Sequence, residues 1–356
     1  MKVSFPAMKG VIGKRQYYAT IVALSEIPHL FKFNDWDQFS PEHRAQRVLQ
    51  KSRIPEIAKY ITDNEEGYIF SSITASYNST PTFNPITPEA DIGQLEIELE
   101  TASFIINDGQ HRCAAIAQAL KDNPALGKER ISVLLFPQEN LERLQQMFSD
   151  LNRFVQRTSK SLNVLYDRRD DLSVLTMEIS EAVPVFKGMI DKEKLSIPLR
   201  SPKLFTLSTL YDANLELLGK KIEKQGSKEY KQKIDTAVEY WNAVANVIPD
   251  WKQAKSGDVK PAALRQEKIN THAVVLRALG GLGKVLIEAY PDGWKNKLQA
   301  LTNIDWRKAE GTKVNPLWDN VCITAGSVVS NRQARVATLE LLKQRAGVSH
   351  AGSAHA

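Results

Sequence analysis

Cysteine is nearly missing from this chain of 356 residues: Cys113 and Cys322 are the only two, and their spacing suggests neither a disulfide framework nor a zinc site. A reducing compartment suits such a chain. Histidine is sparse too, with six residues scattered and two of them, His350 and His355, in a small-residue tail (348–356) expected to be disordered. No structural metal site is expected. Long apolar runs are also absent. The longest stretch, 273–287, is broken by Arg277 and Lys284 and falls short of a membrane span. The opening Met1-Lys2-Val3-Ser4-Phe5-Pro6 is too short and too polar to begin a signal peptide. These absences point to a soluble, cytoplasmic chain. The run Gly280-Gly281-Leu282-Gly283-Lys284-Val285 fails as a phosphate loop, because Ala278 stands where the first glycine belongs and Val285 follows the lysine. A helix packed closely through small residues is expected there. No internal repeat is visible.

What is present is apolar enough, at 42%, to build a sizeable core, and long enough for two domains. The net charge of +6 is unevenly spread. Residues 1–170 carry 20 Lys and Arg against 21 Asp and Glu, whereas 171–356 carry 27 against 20. The densest cluster is Lys220, Lys221, Lys224, Lys228, Lys231 and Lys233, diluted by Glu223 and Glu229. Such a half suits a polyanionic partner, most simply double-stranded DNA, since clustered cations gain by displacing counterions from phosphates. A solvated lysine-rich surface is the plain alternative.

The stretch 103–119, SFIINDGQHRCAAIAQA, organises the chain. Phe104, Ile105 and Ile106 read as a strand, Asp108-Gly109 breaks it, and Cys113, Ala114, Ile116, Ala117 and Leu120 recur at helical spacing. Gly109 permits a backbone geometry that other residues resist. Gln110, His111 and Arg112 then occupy a helix start, where unpaired N–H groups attract anions. Arg112 offers a fork suited to phosphate, and Asp108 can cap the helix or face a metal-bound nucleotide. An ordinary Asp-Gly turn is the competing reading. Cys113 is expected to pack as a small hydrophobe.

The pentapeptide Asp108-Gly109-Gln110-His111-Arg112 resembles the signature of the DGQHR-domain proteins. Several flanking segments are similar to the DndB family of DNA phosphorothioation proteins within that group: Ser4-Phe5-Pro6-Ala7, Ala45-Gln46-Arg47-Val48-Leu49, Arg53-Ile54-Pro55-Glu56-Ile57-Ala58, Phe70-Ser71-Ser72-Ile73-Thr74-Ala75-Ser76 and Met147-Phe148-Ser149-Asp150-Leu151-Asn152-Arg153. The matches keep their order and cover roughly the first 170 residues. The resemblance implies a ParB/sulfiredoxin-like α/β (α+β) domain whose turn binds ATP or another nucleotide. Gln110 stands where sulfiredoxins carry their reactive cysteine, so sulfinic-acid reduction is not expected. The resemblance also implies a repressor of the sulfur-modification genes.

Along the rest of the chain, 17–24 reads as a first strand and 40–51 as a helix opened by Ser40-Pro41-Glu42, with Arg44, Arg47 and Lys51 on one face. A helix over 55–63, a strand over 68–77 and a loop over 78–88 follow. Alternation at Leu95, Ile97 and Leu99 marks a strand, 131–136 another. Asn140 caps a helix to about 154 with Leu141, Leu144, Phe148 and Leu151 as its stripe. The second half reads as helical. Its clearest helix, 229–248, carries Ile234, Val238, Trp241, Ala245 and Ile248, and its last, capped by Ser330, buries Val336, Leu339 and Leu342 and turns Arg332, Arg335, Lys343 and Arg345 outward. Domains are expected at 1–170 and 171–347.

Two functions follow. One is a DNA-binding transcriptional repressor that self-associates on its operator, using Arg44, Arg47, Lys51, Lys220, Lys221, Lys224 and Lys228. The other is a nucleotide-hydrolysing, ATPase-like enzyme using ATP and Mg, coupled to DNA binding or nicking. Its catalytic candidates are Asp108, Gln110, His111 and Arg112; Gly109, Arg112, Asn152, Arg153 and Glu56 bind the cofactor. Sulfur transfer by Cys113 or Cys322 finds no activated setting.

Overall fold

Period-two patterning in the first half produces a sheet, and period-four patterning in the second produces a helical array. The computed structural model describes residues 2–31, 49–100, 102–138, 140–153 and 158–348. The chain divides into two compact units between Gln156 and Arg157, earlier than the change of composition near 170 suggests, because Ser159 caps a helix whose main packing partners lie further along the chain.

The first unit contains, in chain order, β1 (Lys2–Ile12), β2 (Arg15–Ala23), α1 (Ile27–Leu30), α2 (Ile54–Asp63), β3 (Ile73–Tyr77), β4 (Thr82–Pro85), β5 (Ile92–Glu98), β6 (Phe104–Asp108), α3 (Gln110–Asp122), β7 (Arg130–Pro137) and α4 (Leu141–Arg153). The strands form one sheet in the order β4-β5-β1-β2-β7-β3-β6, antiparallel throughout except between β3 and β7. The strand, glycine turn and helix expected over 103–119 are β6, Gly109 and α3. Three expectations change. The strand read at 68–77 begins only at Ile73, the loop at 78–88 contains the edge strand β4, and β1 carried no strand signal. The helix read from Ser40, with Arg44 and Arg47, lies outside the described residues.

The sheet curls. β5 and β6 stand five strand positions apart, which in a flat sheet is about 24 Å, whereas the connection over 99–103 reaches at most about 21 Å. Inside the curl, Leu95, Ile97, Tyr77 and Ile106 join Ile27, Leu30, Ala58, Ile61, Ala115, Ile116 and Ala119 of the covering helices in one core. All five residues of β3 are buried, because α4 covers its second face: Met147 Sδ sits 3.0 Å from Asn107 Nδ2 and 3.9 Å from Ser76 Oγ. Of the stripe expected on α4, only Leu144 is buried; Leu141 and Leu151 stay exposed.

The second unit comprises α5 (Lys160–Tyr166), α6 (Asp171–Ala182), α7 (Leu207–Leu218), α8 (Lys228–Val247), α9 (Asp250–Ser256), α10 (Pro261–Glu267), α11 (Ala273–Ala289), α12 (Trp294–Gln299) and α13 (Arg332–Arg345). Its centre is α11 against α7. A Cβ on Gly280 would lie 2.1 Å from the carbonyl oxygen of Ala213, and one on Gly283 would lie 2.5 Å from the Tyr240 ring. Small residues thus allow backbone-to-backbone approach, as the failed phosphate loop suggested. Phe186, Phe205, Trp241 and Trp251 pack edge-on or tilted at 5.2–6.1 Å. Burying each such ring stabilises the unit by roughly 1.5–3 kcal/mol. Of the two indole N–H groups in this cluster, that of Trp241 is satisfied, its Nε1 donating to Asn214 Oδ1 at 2.8 Å while Asn214 Nδ2 donates to Thr176 Oγ1 at 3.2 Å, whereas the buried Trp251 Nε1 finds no partner among the described residues. In α13 the cap is Asn331 rather than Ser330, and Val336 is 55% exposed rather than buried. Of the tail expected from 348, Val348 packs on the helical core; the remainder lies outside the described residues.

Candidate functional site

The DGQHR turn forms where β6, an edge strand, hands over to α3. Opposite β3, the register steps from Ala75↔Ile106 to Thr74↔Asp108, so Asn107 is the extra residue of a β-bulge. Bulges re-aim the residues that follow them. Asn107 is buried, its Nδ2 donates to Ser76 Oγ at 2.7 Å, and its Oδ1 has no hydrogen-bond partner. Gly109 follows at φ 107°, the left-handed region that favours glycine, and a Cβ there would press within 3.2 Å of Ile73.

Arg112 is a brace. Its Nη2 donates to Asp108 Oδ2 at 2.6 Å. Its Nη1 donates to Ser71 O, Ser71 Oγ and Ser72 O at 2.5, 2.6 and 3.0 Å. The guanidinium therefore ties the turn to the segment entering β3, and its side chain is only 15% exposed. His111 Nε2 accepts from the main-chain N–H of Gln50 at 3.0 Å, an arrangement that needs a neutral ring with its proton on Nδ1. No side chain caps α3, and a helix leaves its first N–H groups without intrahelical partners. Those groups, beside a glycine with no side chain, can receive an anion. Gln110, half-buried, opens the helix.

Glu56 stands exposed in the first turn of α2, which packs on α3. Asn152 and Arg153 stand exposed at the end of α4. Asn152 Nδ2 donates to Phe148 O within its own helix, and the pair lies about 8 Å along the axis from Met147, the residue that touches Asn107. Asn107, Ser71, Ser72, Gln50 and Met147 belong to the site and were not among its expected residues, although Ser71, Ser72 and Met147 lie in segments that carry the family resemblance. Only Asn107, a polar letter in an apolar strand, carries a signal of its own. Cys113 is fully buried and burial pushes its thiol up to about 12, so the thiolate is disfavoured; burial raises Cys322 as well. Among the described residues, no three His, Cys, Asp or Glu side chains gather as a metal would need.

The cationic candidates are arranged differently. Between α7 and α8, Gly219 turns the chain out of the helix and Ser227 caps the next. The loop is pinned by Gln225, whose N–H donates to Asp171 Oδ1 at 3.1 Å, and by Lys233, which pairs with Glu223 at 3.1 Å and reaches Lys221 O. The Lys233 hydrogen bond holds the Glu223 carboxyl below its usual range. Lys220, Lys221, Lys224 and Lys228 are all exposed, and none pairs with a carboxylate among the described residues. Lys51 is exposed in a short turn before α2.

A family model described as DNA-sulfur modification-associated matches residues 5–349, so this is a protein of DNA sulfur modification systems. The chain belongs to the family of that model, DndB. No curated protein and no solved structure matches it. No helix among the described residues is long and apolar enough to cross a membrane.

Proposed function

We propose that this chain is a DNA-binding repressor of a bacterial DNA phosphorothioation gene cluster, acting in the cytoplasm on the promoter of the modification genes. The observation that carries this reading is the pinned loop and the helix start after it, where Lys220, Lys221, Lys224 and Lys228 are exposed and pair with no carboxylate among the described residues. Cations already compensated by carboxylates release few counterions on meeting phosphates; uncompensated ones release more. Self-association on a symmetric operator fits the same role. Filter binding of the purified chain to its own upstream DNA, with and without ATP and over a range of salt, tests it. Binding whose logarithm falls linearly with the logarithm of salt supports the reading, and failure to bind the duplex sinks it.

A second reading keeps the turn as a phosphate site, favoured by the uncapped start of α3 beside Gly109. Arg112 is spent on Asp108, Ser71 and Ser72, and Asp108 on Arg112, so the side chains present do not fit a Mg–nucleotide. ATP or CTP held by the first-turn N–H groups would raise the melting temperature by mass action. A melt unmoved by millimolar nucleotide would leave the turn structural.

A further inference from the structure

A second cationic surface lies in the helical unit, in a groove of about 360 Å³ walled by α7, α11 and α13. Its acidic groups are already consumed. Arg277 Nη1 bonds Asp212 Oδ2 at 3.2 Å and Arg277 Nη2 bonds Glu216 Oε1 at 3.1 Å, while Lys160 takes the other Asp212 oxygen at 2.5 Å. Arg332 and Arg335 line the same groove from the first turn of α13, a turn with no acidic residue, and neither pairs with a carboxylate among the described residues. Beside them Val336 is 55% exposed and Leu339 half-buried. The groove thus offers two uncompensated guanidinium forks next to an apolar wall.

The groove and the lysine loop meet at one end of α7. Glu216 lines the groove in the last turn of that helix, Leu218 ends it about 3 Å of helical rise further on, and Lys220 follows two residues later, after Gly219 turns the chain out of the helix. A small anion would need only the arginine pair, whereas a polyanion spans both patches. Guanidinium forks suit phosphate oxygens, and the hydrocarbon of a sugar suits Val336 and Leu339.

Resting on the DNA-binding reading above, we infer that the α7/α11/α13 groove holds the phosphodiester backbone of the same DNA, with Arg332 and Arg335 as phosphate ligands that continue the track of the lysine loop. The test uses the full chain and duplex DNA carrying its upstream sequence, with affinity measured against salt. Arg332→Gln/Arg335→Gln should flatten the log–log slope by about 1.8, and Arg332→Gln alone, at an exposed position, by about 0.9. Arg332→Lys/Arg335→Lys should keep the wild-type slope, because the charges remain. Should the Gln pair leave the slope unchanged while Gln substitutions in the lysine loop flatten it, the groove is overturned and the repressor reading stands. A slope unmoved by either set, or a wild-type chain that does not bind the duplex, overturns both.

Discussion

The two units use charge in opposite ways. In the sheet unit the conspicuous letters, Asp108 and Arg112, are turned onto the protein itself: one guanidinium satisfies two carbonyls, a hydroxyl and a carboxylate. In the helical unit three lysines in a loop, Lys228 at the start of α8 and two arginines at the start of α13 are left without carboxylates among the described residues. A charge consumed by folding is a poor ligand for anything else, because releasing it exposes its old partners. The prominence of a motif therefore says little about whether its side chains are available to a ligand.

The most direct way to break this contrast is Arg112→Ala. If the residue is a brace, urea unfolding should show a loss of about 3 kcal/mol, since bonds to a charged donor are worth more than neutral ones and Asp108 is left unpaired. Asp108 is half exposed, which keeps the figure below that of a fully buried pair. A loss under about 1 kcal/mol would return Arg112 to the pool of available cations. Within the helical unit, His272 provides a buried titratable group to compare. Burial, then Lys308 and Arg265, lower its pKa to about 4, and its Nε2 lies 3.1 Å from Arg265 O. An unfolded histidine titrates near 6.5, so as pH falls the unfolded chain takes up the proton first. Stability should drop by about 3 kcal/mol as the pH falls from above 6.5 to 4, and His272→Gln should remove that part of the pH dependence. Equal pH profiles for the two proteins would mean the ring is not held neutral.

Cys113→Ala sharpens the comparison from the packing side. A thiol among Ala and Ile should cost about 1 kcal/mol in thermal unfolding and leave DNA binding intact; loss of binding in a folded variant would give the sulfur a chemical role. The smallest effect on stability is expected for Lys220, Lys221, Lys224 and Lys228 replaced together by Gln, within about 0.5 kcal/mol because no hydrogen bond or ion pair among the described residues holds their side chains. Their effect on binding should be the reverse, a log–log salt slope flatter by up to about 3.6. An unchanged slope would make them a solvated face.

What could be read in the letters was local. Phe104, Ile105 and Ile106 followed by Asp108-Gly109 and a helical run state a strand, a turn and a helix without help from elsewhere. β1 could not be read because Pro6 and Gly10 argue against a strand paired on both sides, yet β1 lies between β5 and β2 and Pro6 O accepts from Thr20 Oγ1 at 2.9 Å. Residues 68–72 misled in the other direction. Tyr68 and Phe70 look like strand residues, but the Phe70 ring packs with Tyr68 at 5.7 Å and with Tyr60 at 5.9 Å, and the carbonyls of 71 and 72 go to Arg112 instead of a ladder. In the site, the letters of the turn were found and their partners were not, since Ser71 and Gln50 are 41 and 61 residues from the side chains they meet. The ion pairs that separate Arg277 from Arg332 and Arg335 are likewise tertiary facts, written in no spacing.

The bond from Gln50 to His111 runs from a main-chain N–H to a ring nitrogen. Its two ends therefore differ in what they demand of the gene. At position 50 any amino acid but proline supplies the donor, so nineteen of the twenty codon meanings are equivalent for this contact; at position 111 only a side chain that places an acceptor at imidazole reach will serve. Half of the contact is thus spelled in letters and half in the uniform backbone. This contact alone therefore constrains position 111 and leaves position 50 unconstrained, so it couples the two residues in space without coupling their letters.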